Sequence, residues 1–112
     1  MRITSHQEQG FLVVQIEGRL DVATAPEFEK NCDAMIEQGH QQVILDMAAL
    51  EYISSAGLRS LLAIAKKLKG RGGSLSVCGL TGLVKEVFYL SGFDSFLPVY
   101  EGRQQALAGG GK

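Results

Sequence analysis

The sequence predicts an α/β domain, a mixed but mostly parallel sheet of about five strands carrying three to four helices. Three observations lead there. Apolar runs of strand length, FLVVQIEG, VILDM, SLSVCGL and LPVY, alternate with segments whose apolar residues recur at helical spacing. The links between them are short, which suits parallel pairing through right-handed crossovers. The first run is instead preceded by a polar strand-like segment and Glu8-Gln9-Gly10, the signature of an antiparallel hairpin at the sheet's entrance.

That hairpin joins a strand around Arg2 to His6 with FLVVQIEG. Thr24, Pro26 and Glu27 then open a helix: Thr24 as cap, Pro26 in the first turn, Glu27 completing a capping box. Ala25, Phe28, Cys32, Met35 and Ile36 form its apolar stripe, and Gly39 marks the stop. VILDM, residues 43–47, is a short apolar run bounded by polar residues, as a buried central strand requires. Residues 48–55 are expected to form a loop.

The second helix shows a stripe of Leu58, Leu61, Leu62, Ala65 and Leu68. Lys66, Lys67, Lys69 and Arg71 crowd its C-terminal end, where cations complement the helix dipole and face solvent. GRGG (70–73) ends it and precedes a strand, so it is no phosphate cradle, which would need a following helix. After SLSVCGL (74–80), a third helix is lined by Leu83, Val84, Val87, Phe88 and Leu90. LPVY (97–100) is an edge strand because Pro98 lacks an N–H, and RQQAL adds a last helical turn. AGGGK should be disordered, giving one domain over 1–108 and a flexible tail over 109–112.

A chain of 112 residues with 46% hydrophobic content suits one domain with its own core. A net charge of -1 lacks the positive field of a general nucleic-acid binder. No apolar run approaches the roughly 20 residues that span a bilayer, so a soluble, cytoplasmic chain with no membrane insertion is expected. Cys32 and Cys78 lie far apart in apolar segments without metal-type spacing and read as reduced core thiols. No metal or cofactor is expected. No surface helix is apolar all round, which favours a monomer.

Parallel strands deliver their C-terminal ends to one edge of a sheet, so the segments 18–24, 48–55 and 79–82 should converge there, each leading into a helix. YISSAGLRSLL (52–62) sits at that edge. Ser54 or Ser55 can cap the helix, a role worth about 1 kcal/mol. Gly57 in the first turn costs about 1 kcal/mol against alanine, which implies close approach of another backbone, within the fold or in a partner. A nucleophilic serine would need a base and a G-x-S-x-G-like turn. The chain offers only His6, on the first strand, and His40, at the opposite edge, so hydrolase chemistry is disfavoured. The remaining functional role is that of an exposed serine modified by another enzyme.

GRLDVATAPEFEK, VILDMAALEYISSAGLRSLL and GGSLSVCGLTGLVKEVFYLSGF, in this order and spacing, resemble the bacterial anti-sigma factor antagonists, the stand-alone form of the STAS domain. The resemblance spans nearly the whole chain. Members commonly carry an Asp-Ser-Ser-Gly-Leu segment whose first serine is phosphorylated by a partner that is both anti-sigma factor and kinase. Matching Gly57-Leu58 places that acceptor at Ser55, with Ser54 where the family has aspartate and Ala56 where it has the second serine. Ser54 is therefore a minor second candidate.

The resemblance implies a partner surface of Asp21, Thr24, Ser54, Ser55, Gly57 and Arg59, an anti-sigma factor serine kinase that brings ATP and magnesium, and a metal-dependent serine phosphatase. Asp21 and Asp46 match acidic or polar family positions, yet each can equally hold a turn. Two other outputs remain open: a STAS accessory subunit of a lipid ABC transporter, or a nucleotide- or small-molecule-sensing module at the same sheet edge.

Overall fold

Six strands and four helices organise residues 1–109, the part of the chain that the computed structural model describes. The strands are β1 (Arg2–Glu8), β2 (Phe11–Leu20), β3 (Gln42–Asp46), β4 (Leu50–Ile53), β5 (Ser74–Cys78) and β6 (Val99–Tyr100). The helices are α1 (Ala25–Glu37), α2 (Ser55–Gly70), α3 (Gly82–Leu90) and α4 (Arg103–Gly109). β1 and β2 form the expected hairpin, turning at Gln9-Gly10, where φ is 51° and 85°. β2, β3, β5 and β6 then run parallel in the order β1-β2-β3-β5-β6, with the Pro98-led β6 on the edge.

β4 departs from the sequence reading, which made residues 48–55 a loop. Leu50–Ile53 instead pairs parallel with the far end of β2, off the main strand path. Its two buried residues, Leu50 and Ile53, flank Glu51 and Tyr52, and four residues are too few for a period to emerge. The change of partner along β2 occurs at Gly18, whose φ of +98° accompanies a register shift between Gly18 and Arg19. A residue with a Cβ would resist that conformation.

Alternation along β2 sorts the core into two layers. Leu12, Val14, Ile16 and Leu20 face one side with Leu45, Val77 and the apolar faces of α1, α2 and α3. Phe11, Val13, Ile44 and Cys78 face the other, covered by Ala106 and Leu107 of α4. RQQAL is thus the start of a helix that seals the second face. Gly109 is its last residue, and the remainder of the expected tail, 110–112, lies outside the described residues.

Three helix expectations change. α2 buries Ile64 along with Leu58, Leu61 and Leu68, whereas Leu62 and Ala65 are only partly covered. α3 buries Val84 and Phe88 but leaves Leu83 and Leu90 exposed, Leu90 at 86%. A helix this short presents one narrow stripe, and residues 83 and 90 fall outside it. Thr24 flanks α1 without any side-chain cap, so the capping box does not form. Its hydroxyl turns back to the preceding loop, as described below.

Candidate functional site at the C-terminal edge of the sheet

The loop after β2 is tied by Asp21. Its Oδ1 accepts hydrogen bonds from the backbone N–H of Ala23 at 3.0 Å and of Thr24 at 3.1 Å, an Asx-type turn just ahead of α1. Thr24 Oγ1 accepts from Asp21 N at 2.9 Å and donates to the Arg19 carbonyl at 2.9 Å, closing the loop on itself. Partial burial pushes the Asp21 carboxyl upward, but the Thr24 and Ala23 N–H groups, the Thr24 hydroxyl and the Arg19 charge outweigh it and hold the group below its ordinary 3.8. The guanidinium of Arg19 lies 3.7 Å from Asp21 Oδ2 and 4.2 Å from the centre of the Tyr52 ring.

β4 fixes where the serine pair stands. Beyond the Leu20–Ile53 pairing, Ser54 N donates to the Leu20 carbonyl at 3.0 Å, so the ladder with β2 continues into the first residue of the pair. Ser54 then caps α2, its Oγ accepting from Gly57 N at 3.3 Å. Ser55, next in line, is the first helical residue and is exposed. The two hydroxyls are neighbours with different tasks, one holding the helix start and the other facing solvent.

Gly57 explains why the helix can begin there. A Cβ on Gly57 would lie 2.8 Å from the Leu20 carbonyl oxygen and 2.9 Å from side-chain atoms of Ile53 and Leu20. The close approach implied by the sequence is therefore inside the fold, and Gly57 is buried. It serves the surface by letting α2 sit down on β2 and β4. Arg59 is exposed four residues beyond Ser55, on the same face of α2.

Asp21, Thr24, Ser54, Ser55 and Arg59 thus share one edge, with Gly57 beneath them. Sequence reading missed Arg19, Tyr52 and Val22 there. Val22 is 77% exposed between Asp21 and Ala23; with Leu20, Ala23 and Ala25 also apolar around it, no sequence signal singles it out. Arg19 and Tyr52 belong to strands that meet only through β4, so no spacing in the chain connects them.

Asp46, at the end of β3, is committed on both oxygens: Oδ1 accepts from Ala48 N at 3.1 Å and Oδ2 from Arg103 Nη2 at 2.9 Å. It ties the β3 exit to α4. Neither histidine reaches the edge: His6 lies on β1 beside Glu8, and His40 precedes β3 at the opposite end. Burial pushes the Cys32 thiol up to about 12, aided by Asp33 and Glu29, and the Cys78 thiol up to about 11, aided by Asp46. Both thiols are therefore protonated and unreactive near neutral pH. Among the described residues no helix is long and apolar enough to cross a membrane.

Known proteins share this architecture throughout. A Bordetella bronchiseptica protein, BtrV, provisionally named an anti-sigma factor antagonist, is 40% identical over 108 residues, covering 96% of this chain and 93% of its own. The crystal structure of an anti-sigma factor antagonist from Mycobacterium paratuberculosis superposes with a TM-score of 0.90 at 26% identity, over 99% of this chain and 94% of the other. The Bacillus cell fate determinant SpoIIAA in its phosphorylated form matches in fold, with a TM-score of 0.71 at 17% identity over 96% of this chain and 97% of its own. The profile of the STAS domain family matches residues 2–106, nearly the whole described chain, and the protein belongs to that family.

Proposed function

We propose that this chain is an anti-sigma factor antagonist that works as a phosphorylation-controlled partner switch in the cytoplasm. The unphosphorylated monomer docks its Ser55 edge onto an anti-sigma factor that is also a serine kinase, and the bound sigma factor is released. The kinase, carrying ATP and magnesium, transfers the γ-phosphoryl group to Ser55 Oγ. The bond to the ADP leaving group breaks as the new P–O bond forms, and the hydroxyl proton passes to a base of the kinase. A metal-dependent phosphatase later directs water to the phosphorus, returning the hydroxyl and releasing inorganic phosphate. The chain itself contributes no catalytic group to either step.

The observation that carries this reading is the division of labour in the serine pair. Ser54 is engaged as the cap, while Ser55 stands exposed where a visiting enzyme can reach it. Ser54 as acceptor would require its hydroxyl to leave Gly57 N, at a cost of about 1 kcal/mol. Names borne by the similar proteins support the antagonist role, and SpoIIAA, of the same fold, is a protein known in phosphorylated form.

Phosphate adds a charge of about -1.5 to -2. At the start of α2 the helix dipole favours it by roughly 0.3 to 1 kcal/mol, so the domain should stay folded. Burying that group against a partner without cations costs several kcal/mol, and about 1.4 kcal/mol already means a tenfold loss of affinity. The Asp21 carboxylate, on the neighbouring loop, adds like-charge repulsion. The interface, not the fold, is the element that switches.

The test is to incubate the chain with its kinase and ATP, locate the phosphate by mass spectrometry, and compare Ser55→Ala with Ser54→Ala. Labelling should vanish in Ser55→Ala and persist in Ser54→Ala, and the phosphorylated protein should keep its thermal midpoint while losing the kinase. Undiminished labelling of Ser55→Ala would move the acceptor elsewhere.

A further inference from the structure

The four cations that crowd the end of α2 divide between two faces. Lys67 and Arg71, one turn apart, reach α1 and pair with Asp33 and Glu37. Lys66 and Lys69 make no ion pair among the described residues. They stand instead on the rim of a groove of about 420 Å³ between α2 and the approach to β6. Leu62, Leu75 and Leu97 line it, and Phe96 flanks it.

Phe96 is 65% exposed, yet its ring is braced. It packs edge-on against Phe93 at 5.9 Å, which packs edge-on against the fully buried Phe88 at 5.7 Å. A chain of three rings therefore runs from the core to the surface and holds an aromatic anchor beside an apolar floor. Such anchors lose little side-chain freedom when covered, which is the character of energetically dominant interface residues.

We infer that this groove is a second docking surface, for an acidic amphipathic segment of a partner protein: apolar side chains against Leu62, Leu75, Leu97 and Phe96, carboxylates against Lys66 and Lys69. The charge of the rim selects the occupant. A second copy of this chain meeting the groove about a two-fold axis would set lysines against lysines, which works against self-association. A basic segment is excluded for the same reason.

The groove begins seven residues beyond Ser55 and extends fourteen residues beyond it, roughly 10 to 20 Å along α2. It lies toward the opposite edge of the sheet, where Ser74 begins β5. The groove is therefore separate from the Ser55 edge, and its occupancy is not expected to depend on phosphorylation of Ser55. A partner held there could stay attached while the kinase comes and goes.

The test uses the full chain, isotopically labelled, titrated with a synthetic helical peptide bearing leucines on one face and glutamates on the other. A matched peptide with lysines in place of the glutamates is the control. Saturable binding of the acidic peptide, with amide shifts concentrated on Leu62, Lys66, Lys69, Leu75 and Leu97, is expected. Affinity should fall roughly tenfold or more in Phe96→Ala and in the Lys66→Glu, Lys69→Glu double variant. These side chains are exposed, so the variants should fold, and unchanged peak dispersion checks it. Equal binding of the lysine peptide, shifts centred on Asp21 and Ser55, no saturable binding, or concentration-dependent broadening of the groove without peptide would each overturn the assignment. The kinase-labelling result does not bear on it, so the two proposals fail separately.

Discussion

The two ends of α2 are anchored by different physics. At its C-terminal end, beyond the buried Leu68, charged side chains add the fastening: Lys67 and Arg71 reach across to Asp33 and Glu37 on α1. At its N-terminal end the fastening is almost all backbone and small atoms: Ser54 N on the Leu20 carbonyl, the Ser54 hydroxyl on Gly57 N, and the bare Cα of Gly57 against Leu20 and Ile53. Ion pairing consumes the charges of Lys67 and Arg71, whereas backbone fastening leaves the neighbouring side chains free. Ser55 and Arg59 are available because Gly57 carries the packing. The comparison also implies a ranking, because dry close packing is worth more per contact than solvated ion pairs.

The largest effect should follow from Gly57→Ala. The added methyl meets a backbone oxygen and two side chains below 3 Å, and overpacking of this kind costs about 1 to 3 kcal/mol. Alanine's better helix propensity returns at most about 1 kcal/mol. Net destabilisation of about 1 to 2 kcal/mol is expected, read as a lower denaturant midpoint at unchanged slope, together with weakened kinase docking as the helix start lifts off β2. A neutral or stabilising result would mean that the N-terminal end is not held by close approach at all.

Ser54→Ala comes next, at about 1 kcal/mol, because Gly57 N would lose its partner at a partly buried helix start. Ser54→Asp should recover most of that loss, since a carboxylate caps well and favours the dipole. Ser55→Ala should cost far less than Ser54→Ala. An inverted order would reassign the cap.

Much of this was legible in the chain. Apolar runs of strand length succeeding helical stripes over short links disclosed the parallel order and the converging edge, because the succession is repeated several times along the chain. Gly57 was legible as an anomaly, a poor helix former in a first turn, although not the surface it touches. β4 was hidden because Leu50–Ile53 is too short for a period and draws its meaning from partners at Gly18 to Leu20, far earlier in the chain. The role of Thr24 was misread for a related reason. TAPE satisfies the capping-box pattern, but the Thr24 hydroxyl is taken by Asp21 N and the Arg19 carbonyl, and the Thr24 N–H by Asp21 Oδ1, and sequence cannot rank partners that compete for one group.

The C-terminal fastening should prove weak. Both ion pairs are solvent-exposed, where such pairs contribute about 0.2 to 1 kcal/mol each. Lys67→Ala and Arg71→Ala together should therefore cost about 1 kcal/mol or less at low salt. In about 1 M salt, where the screening length falls to about 3 Å, the difference from the parent chain should largely disappear. A salt-independent loss would show that the stems of these residues, rather than their charges, do the fastening.

The smallest effect at neutral pH, and the one most specific to the N-terminal end, is expected for Asp21→Asn. Asparagine keeps an Oδ1 that can accept from Ala23 and Thr24, so the turn survives and only the charge is lost. The native carboxyl sits below its ordinary 3.8. Its charged form therefore contributes stability that is fully present above the unfolded-state value of about 3.9 and is lost as pH falls through the lower, folded-state value. The parent chain should lose stability relative to Asp21→Asn as pH drops below about 4, with the two converging once the native carboxyl is protonated. Parallel acid limbs would mean that the charge of Asp21 does not hold the loop, leaving its negative field free to act on whatever docks beside Ser55.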